Sequence, residues 1–140
     1  MQLEKQVVSL ELAKRLKELG VKQEGLFCYV EHKPTHEFHL WFNEVLAMGG
    51  LEPLDKRYKL VQQFSAFTVA ELGDMLPARG YENEDLVSWS SFFSKDKGKW
   101  IASIFWRFSK DKTEWIESDT EADARAKMLI YLFENKLIEL

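Results

Sequence analysis

Cys28, His32, His36 and His39 are the residues of this chain whose types could do chemistry together. The one cysteine and all three histidines fall within twelve positions, and thiolate and imidazole are the ligands that zinc takes up. On an unbroken helix the spacing would set them on one face. Pro34 forbids that helix, because its ring removes a donor and clashes with the preceding turn. In a strand, His36 and His39 point to opposite sides. Zinc needs four ligands converging at about 2.0–2.3 Å, so the segment reads as loop histidines beside a buried thiol. Neither a metal nor a cofactor is expected.

A second chemistry is base stacking. Trp89, Phe105 and Trp106 lie in an aromatic stretch with lysines around it, the ingredients of a single-stranded nucleic-acid surface. The lysines fall into two groups, Lys95, Lys97 and Lys99 at one turn and Lys110 and Lys112 at the next. Successive turns of a meander lie at opposite ends of its sheet, so the lysines make two patches and no groove. Core packing is the expected role of the aromatic rings. Glu82, Glu84 and Asp85 cluster ahead of a strand without a paired histidine and read as a solvated loop. Ser88, Ser90 and Ser91 lack a G-x-S-x-G elbow, and no P-loop, G-x-G-x-x-G or H-E-x-x-H occurs. Leu12 to Gln23 has the shape of the first half of a helix-turn-helix, but a strand follows where the recognition helix would stand.

Composition sets the frame. A chain of 140 residues with 46% hydrophobic and 30% charged residues is the size and make-up of one globular domain. A single cysteine allows no internal disulfide, which favours a reducing, cytoplasmic setting. The first residues, Met1-Gln2-Leu3-Glu4-Lys5, carry no apolar signal region, and no run of about eighteen apolar residues is present to span a membrane. The net charge of −4 lacks the basic balance of a dedicated nucleic-acid binder.

The elements that must position these residues follow from spacing and caps. Leu12, Ala13, Leu16 and Leu19 predict a helix over 10–19, with Ser9 as N-cap, Lys14, Arg15 and Lys17 on the wet side and Gly20 as the stop. Leu26 to Val30 and Phe38 to Phe42 read as strands of a hairpin with a loop around His32 to Thr35. Residues 43–66 are punctuated by Gly49-Gly50 and Pro53; Val45 to Met48 fits a helical turn or a loop. Thr68-x-x-Glu71 is a capping box for a helix over 69–76, with Phe67 and Leu72 set as a hydrophobic staple and Pro77 as the stop. Residues 86–117 read as a three-strand meander. Its central strand, 100–108, is apolar on both faces and wants cover from two sides, for which the helices at 10–19 and 69–76 are the expected source. Thr120-x-x-Asp123 opens the last helix, in which Ala122, Ala126, Leu129, Ile130, Phe133 and Leu137 follow helical spacing. Alanines at 122, 124 and 126 allow close approach to a sheet. The whole predicts a single α+β domain over 1–140: one mostly antiparallel sheet of about five strands with helices packed on its faces.

Three segments carry a resemblance: Ser9 to Gln23, Ser65 to Pro77, and Glu121 to Leu132. Together they resemble a group of uncharacterised bacterial prophage and phage proteins that hold the same segments in the same order. The closing helix is similar to the end of phage α-β-α sandwich domains. The resemblance covers about a third of the chain, all of it helices and caps. It implies a phage or prophage setting and a sandwich-like fold, and no site residues. The expected function is therefore a non-enzymatic accessory protein that binds a host or phage protein. The alternatives are a nucleic-acid-associated protein using its aromatic sheet face, and a small enzyme whose site carries no known motif. A homo-oligomer through the sheet face is a further expectation.

Overall fold

Among the described residues the strands pair as two separate three-stranded antiparallel sheets, so the expectation of one sheet of about five strands is corrected. The computed structural model describes residues 2–42, 58–76, 86–106 and 114–138. In chain order the elements are α1 (Leu10–Glu18), β1 (Phe27–His32), β2 (Phe38–Phe42), β3 (Tyr58–Ser65), α2 (Val69–Met75), β4 (Leu86–Ser94), β5 (Lys99–Trp106), β6 (Glu114–Ser118) and α3 (Glu121–Glu134). The first sheet has the order β2-β1-β3 and the second β4-β5-β6. Strand β3 falls inside the stretch that resisted reading in sequence, and Val45 to Met48 lie outside the described residues. Among the described residues no helix is long and apolar enough to cross a membrane.

The helix ends bear out most of the capping logic. Gly20 takes a φ of 91°, its N–H donates to Lys17 O, and the N–H of Val21 donates to Leu16 O. That is the paired bond of a Schellman ending, with Leu16 and Val21 both in the core. Thr68 and Glu71 form the full capping box, and Phe67 and Leu72 are both buried. At α3 only half of a box forms: Thr120 accepts from the Asp123 N–H at 3.2 Å. The Asp123 carboxylate instead accepts from the Ser9 N–H at 2.7 Å. Ser9 is the N-cap residue of α1, but its hydroxyl makes no capping bond. The acid of a distant helix thus takes up a donor just ahead of α1.

Helix α3 is central rather than merely closing. It contacts β4, β5 and β6 on one side and α1 and α2 on others. Accordingly Ala122, Ala124, Ala126, Met128, Leu129, Ile130 and Leu132 are all buried, a wider set than a single amphipathic stripe. Helix α1 packs on α3 and on β3 of the first sheet. Lys14 and Lys17, expected on the wet side, lie over the Phe64 ring at 5.7 and 5.0 Å, and Lys14 also lies 4.9 Å from Phe38. Their ammonium groups sit over ring faces, where the π-cloud attracts them. Helix α3 makes the main helical contact with β5, while α1 packs on β3 and α3 and α2 packs chiefly on α3. Side chains of α1 and α2 share one core with Ala102 and Ile104 of β5.

One polar clasp joins α2, β4 and α3. Arg125 Nε donates to Ser91 Oγ at 3.1 Å, Nη1 to Val69 O at 2.8 Å and Nη2 to Glu121 Oε1 at 2.7 Å. Ser91 Oγ donates to the same Glu121 oxygen at 2.7 Å. The guanidinium lies 5.0 Å from the centre of the Trp89 ring. Gly73 leaves room for it: a Cβ there would stand 2.5 Å from Arg125 Nη1.

Candidate functional site

The register of the second sheet sorts its side chains into two faces. Trp89, Ser91, Phe93, Trp100, Ala102, Ile104 and Ile116 alternate onto one face. Ala102 and Ile104 there are fully buried, in the same core as α3. Ser90, Ser103 and Trp115 form a cross-strand row on the other face, and Phe92, Ile101 and Glu117 form the next.

That outer face carries exposed aromatic surface. Phe92 is 39% exposed and Trp115 is 55% exposed, while Ile101 between their strands is only 2% exposed. Strands β4 and β6 are two spacings apart, about 9.5 Å, yet the ring centres of Phe92 and Trp115 are 5.8 Å apart and edge-on. The two rings therefore lean inward over β5 and roof Ile101. Part of the second cover that the long strand wants thus comes from its own sheet's side chains, and the two rings themselves stay exposed. Ser90 and Ser103 sit beside the rings with their hydroxyls 3.1 Å apart.

The rim of this face is charged but balanced. Lys97 pairs with Glu117 and Lys99 with Asp119, and the hydrogen bond and charge of Lys99 hold the Asp119 carboxyl below its usual range. Two of the three lysines at the β4–β5 turn are thus already bound to carboxylates. An incoming phosphate would have to compete with those acids.

The histidine segment separates, but His36 lies in the connection between β1 and β2 and not in a strand, so the expected strand alternation is not what parts it from His39. His32 and His39 stack, with ring centres 5.2 Å apart and planes 14° from parallel. His36, in a left-handed turn with φ 58°, faces the other way and its Nδ1–H donates to Glu31 Oε1 at 3.1 Å. Cys28 sits near the other end of β1, paired in register with Trp41 and Ser65. Among the described residues no group of three histidine, cysteine or acidic side chains is placed to hold a metal ion. Burial pushes the Cys28 thiol up to about 11. At pH 8 the native protein should therefore react with iodoacetamide roughly a hundredfold more slowly than free cysteine, and denaturant should restore the rate. Native reactivity equal to that of free cysteine would contradict this placement.

The remaining sequence candidates are also resolved or set aside. Trp89 packs against the core and under Arg125, as expected of a core aromatic. The side chains of Phe105 and Trp106, together with Glu82, Glu84, Asp85, Lys110 and Lys112, lie outside what the structure describes. Ser91 serves the Arg125 clasp, and Ser90 the outer face. The segment from Leu12 to Gln23 leads into β1, with no second helix after it. Sequence reasoning missed Phe92 and Trp115. The signal for Phe92 was its shared parity with Ser88 and Ser90, the polar side of β4. Trp115 had no such signal, because the register of β6 depends on a turn whose length the sequence leaves open. No family model, curated protein or solved structure matches the chain.

Proposed function

We propose that this chain is a non-enzymatic accessory protein, phage- or prophage-encoded, that binds another protein through the outer face of β4-β5-β6. The observation that carries the reading is the pair of exposed rings, Phe92 and Trp115, closed over buried Ile101 and rimmed by paired charges. An aromatic centre with a polar rim is the anatomy of a protein-binding surface, and large rings there hold most of the binding energy. Because the rim charges satisfy one another, the face favours a neutral, apolar partner surface over a polyanion. The genomic setting rests on the resemblance of the three helical segments.

The test compares the intact chain with the double variant Phe92→Ser, Trp115→Ser. The variant uncovers Ile101, so it should melt at a somewhat lower temperature but still cooperatively, and binding is compared under conditions where both proteins are folded. A partner captured only by the parent chain is then purified and its affinity measured for both proteins. Loss of two anchoring rings should weaken it at least about thirtyfold. Equal affinity would sink the assignment of this face. A concentration-dependent dimer lost in the variant would instead give the face to a second copy. Salt-dependent binding of single-stranded DNA or RNA would favour the nucleic-acid alternative.

A further inference from the structure

A cleft of about 430 Å³ lies between the segment after α1, helix α2 and helix α3, lined by Val21, Lys22, Glu24, Phe67, Glu71, Asp74, Met75 and Phe133. None of these residues belongs to the outer face of the second sheet. The floor is apolar: Val21 and Phe67 are nearly fully buried, and Met75 and Phe133 are half-buried. The rim carries three carboxylates against one ammonium group. Lys22 is held by Glu24 at 2.7 Å, which leaves Glu71 and Asp74 as the uncompensated charge.

These two acids differ in freedom. Glu71 Oε2 accepts from the Thr68 N–H and Oε1 from the Leu26 N–H, each at 2.8 Å. Its carboxylate is thus locked in place, with a second lone pair still available on each oxygen. Asp74 stands three residues on, on the same side of α2, and is exposed. Among the described residues no ion pair engages Asp74. An apolar floor containing two phenyl rings, below a negative rim, matches a side chain with an alkyl stem and a cationic head.

We propose that this cleft receives an arginine side chain presented by a partner polypeptide. Arginine fits better than lysine because its guanidinium is planar, more weakly hydrated than an ammonium group, and stacks on aromatic faces. Its methylene stem would cover Met75 and Phe133 while its fork of N–H donors meets Asp74 and the open lone pairs of Glu71. The site needs neither Phe92 nor Trp115, so it stands or falls apart from the sheet face.

The experiment titrates the intact protein with the capped tripeptide Ac-Ala-Arg-Ala-NH2, following the Met75 methyl group and the amides of α2 by NMR. Saturable shifts confined to the cleft are expected, and they should shrink as salt screens the rim. Asp74→Asn should weaken binding about fivefold, the scale of one exposed charge pair, and Asp74→Lys should abolish it. Since Asp74 is exposed, both variants should melt as the parent does; if the lysine variant fails to fold, the asparagine variant decides. The same peptide with norleucine in place of arginine should not bind. No saturable shift at about 10 mM peptide, or shifts unchanged by Asp74→Asn, would overturn the proposal. So would equal binding of the norleucine peptide. Equal binding of spermidine would overturn the polypeptide source.

Discussion

A chain cut after Ala124 should show no cooperative unfolding transition. The cut removes Ala126, Met128, Leu129, Ile130 and Leu132, each at most 8% exposed in the core. Burial of the four larger side chains contributes about 1.5–3 kcal/mol each. Their sum is comparable with the whole stability of a typical domain, about 5–15 kcal/mol. The loss falls on every layer at once, because α3 touches β4, β5, β6, α1 and α2. It also removes Arg125, and with it the clasp to Ser91 and Val69. Circular dichroism and calorimetry on the truncated chain provide the check, and a retained sharp melt would contradict the central role of α3. A graded version is available in Leu129→Ala and Leu132→Ala. Each should cost about 2–5 kcal/mol, the transfer term plus the cavity left in a packed interior.

The second large effect concerns Arg125 and Gly73. Arg125→Ala removes three hydrogen bonds and leaves the Glu121 carboxylate and Val69 carbonyl short of a donor. The Arg125 and Glu121 side chains retain 18% and 23% exposure. Water therefore recovers part of the loss, and a cost of about 1.5–3 kcal/mol is expected. Gly73 gives this prediction a sign that a generic packing defect would not show. In the parent, Gly73→Ala places a methyl group 2.5 Å from Arg125 Nη1, so the guanidinium must leave its partners and the protein should lose stability. In the Arg125→Ala background the obstacle is gone. There the same substitution should stabilise by up to about 1 kcal/mol, because alanine is the better helix former. A double-mutant cycle from chemical denaturation measures the coupling. Equal effects of Gly73→Ala in both backgrounds would show that the glycine does not serve the clasp.

What the sequence made legible was local. The Gly20 ending, the Thr68–Glu71 capping box and the apolar stripes are settled by residues within one or two turns of each other, and each stands where its spacing put it. The half-made box at Asp123 and the unused Ser9 hydroxyl were not legible, because their partner lies 114 positions away. Strand β3 escaped for a different reason. Its sequence, Tyr-Lys-Leu-Val-Gln-Gln-Phe-Ser, breaks strict alternation at Gln62-Gln63, and its pairing with β1 shifts register between Val30 and Glu31. A bulged strand does not show a clean period of two. The number of sheets is likewise a matter of which strands pair across long separations, and strand propensity is silent on that. The candidate face was half legible. Sequence located an aromatic sheet and questioned its two lysine patches, but it named Trp89, which is turned inward, and passed over Phe92 and Trp115.

The contact between the two ends of the chain has a consequence for synthesis. Ser9 bonds to Asp123, and Arg15 pairs with Glu134 across 119 positions. At a translation rate of about 5–20 residues per second, α1 waits roughly 6–23 s before its partner helix has been made. Through that interval Ala13 and Leu16, fully buried in the finished protein, have no α3 to pack on. The β4-β5-β6 sheet likewise meets α3 only after its own strands are complete. The packing of α1 on α3 can therefore form only once residues 121–134 are free of the exit tunnel.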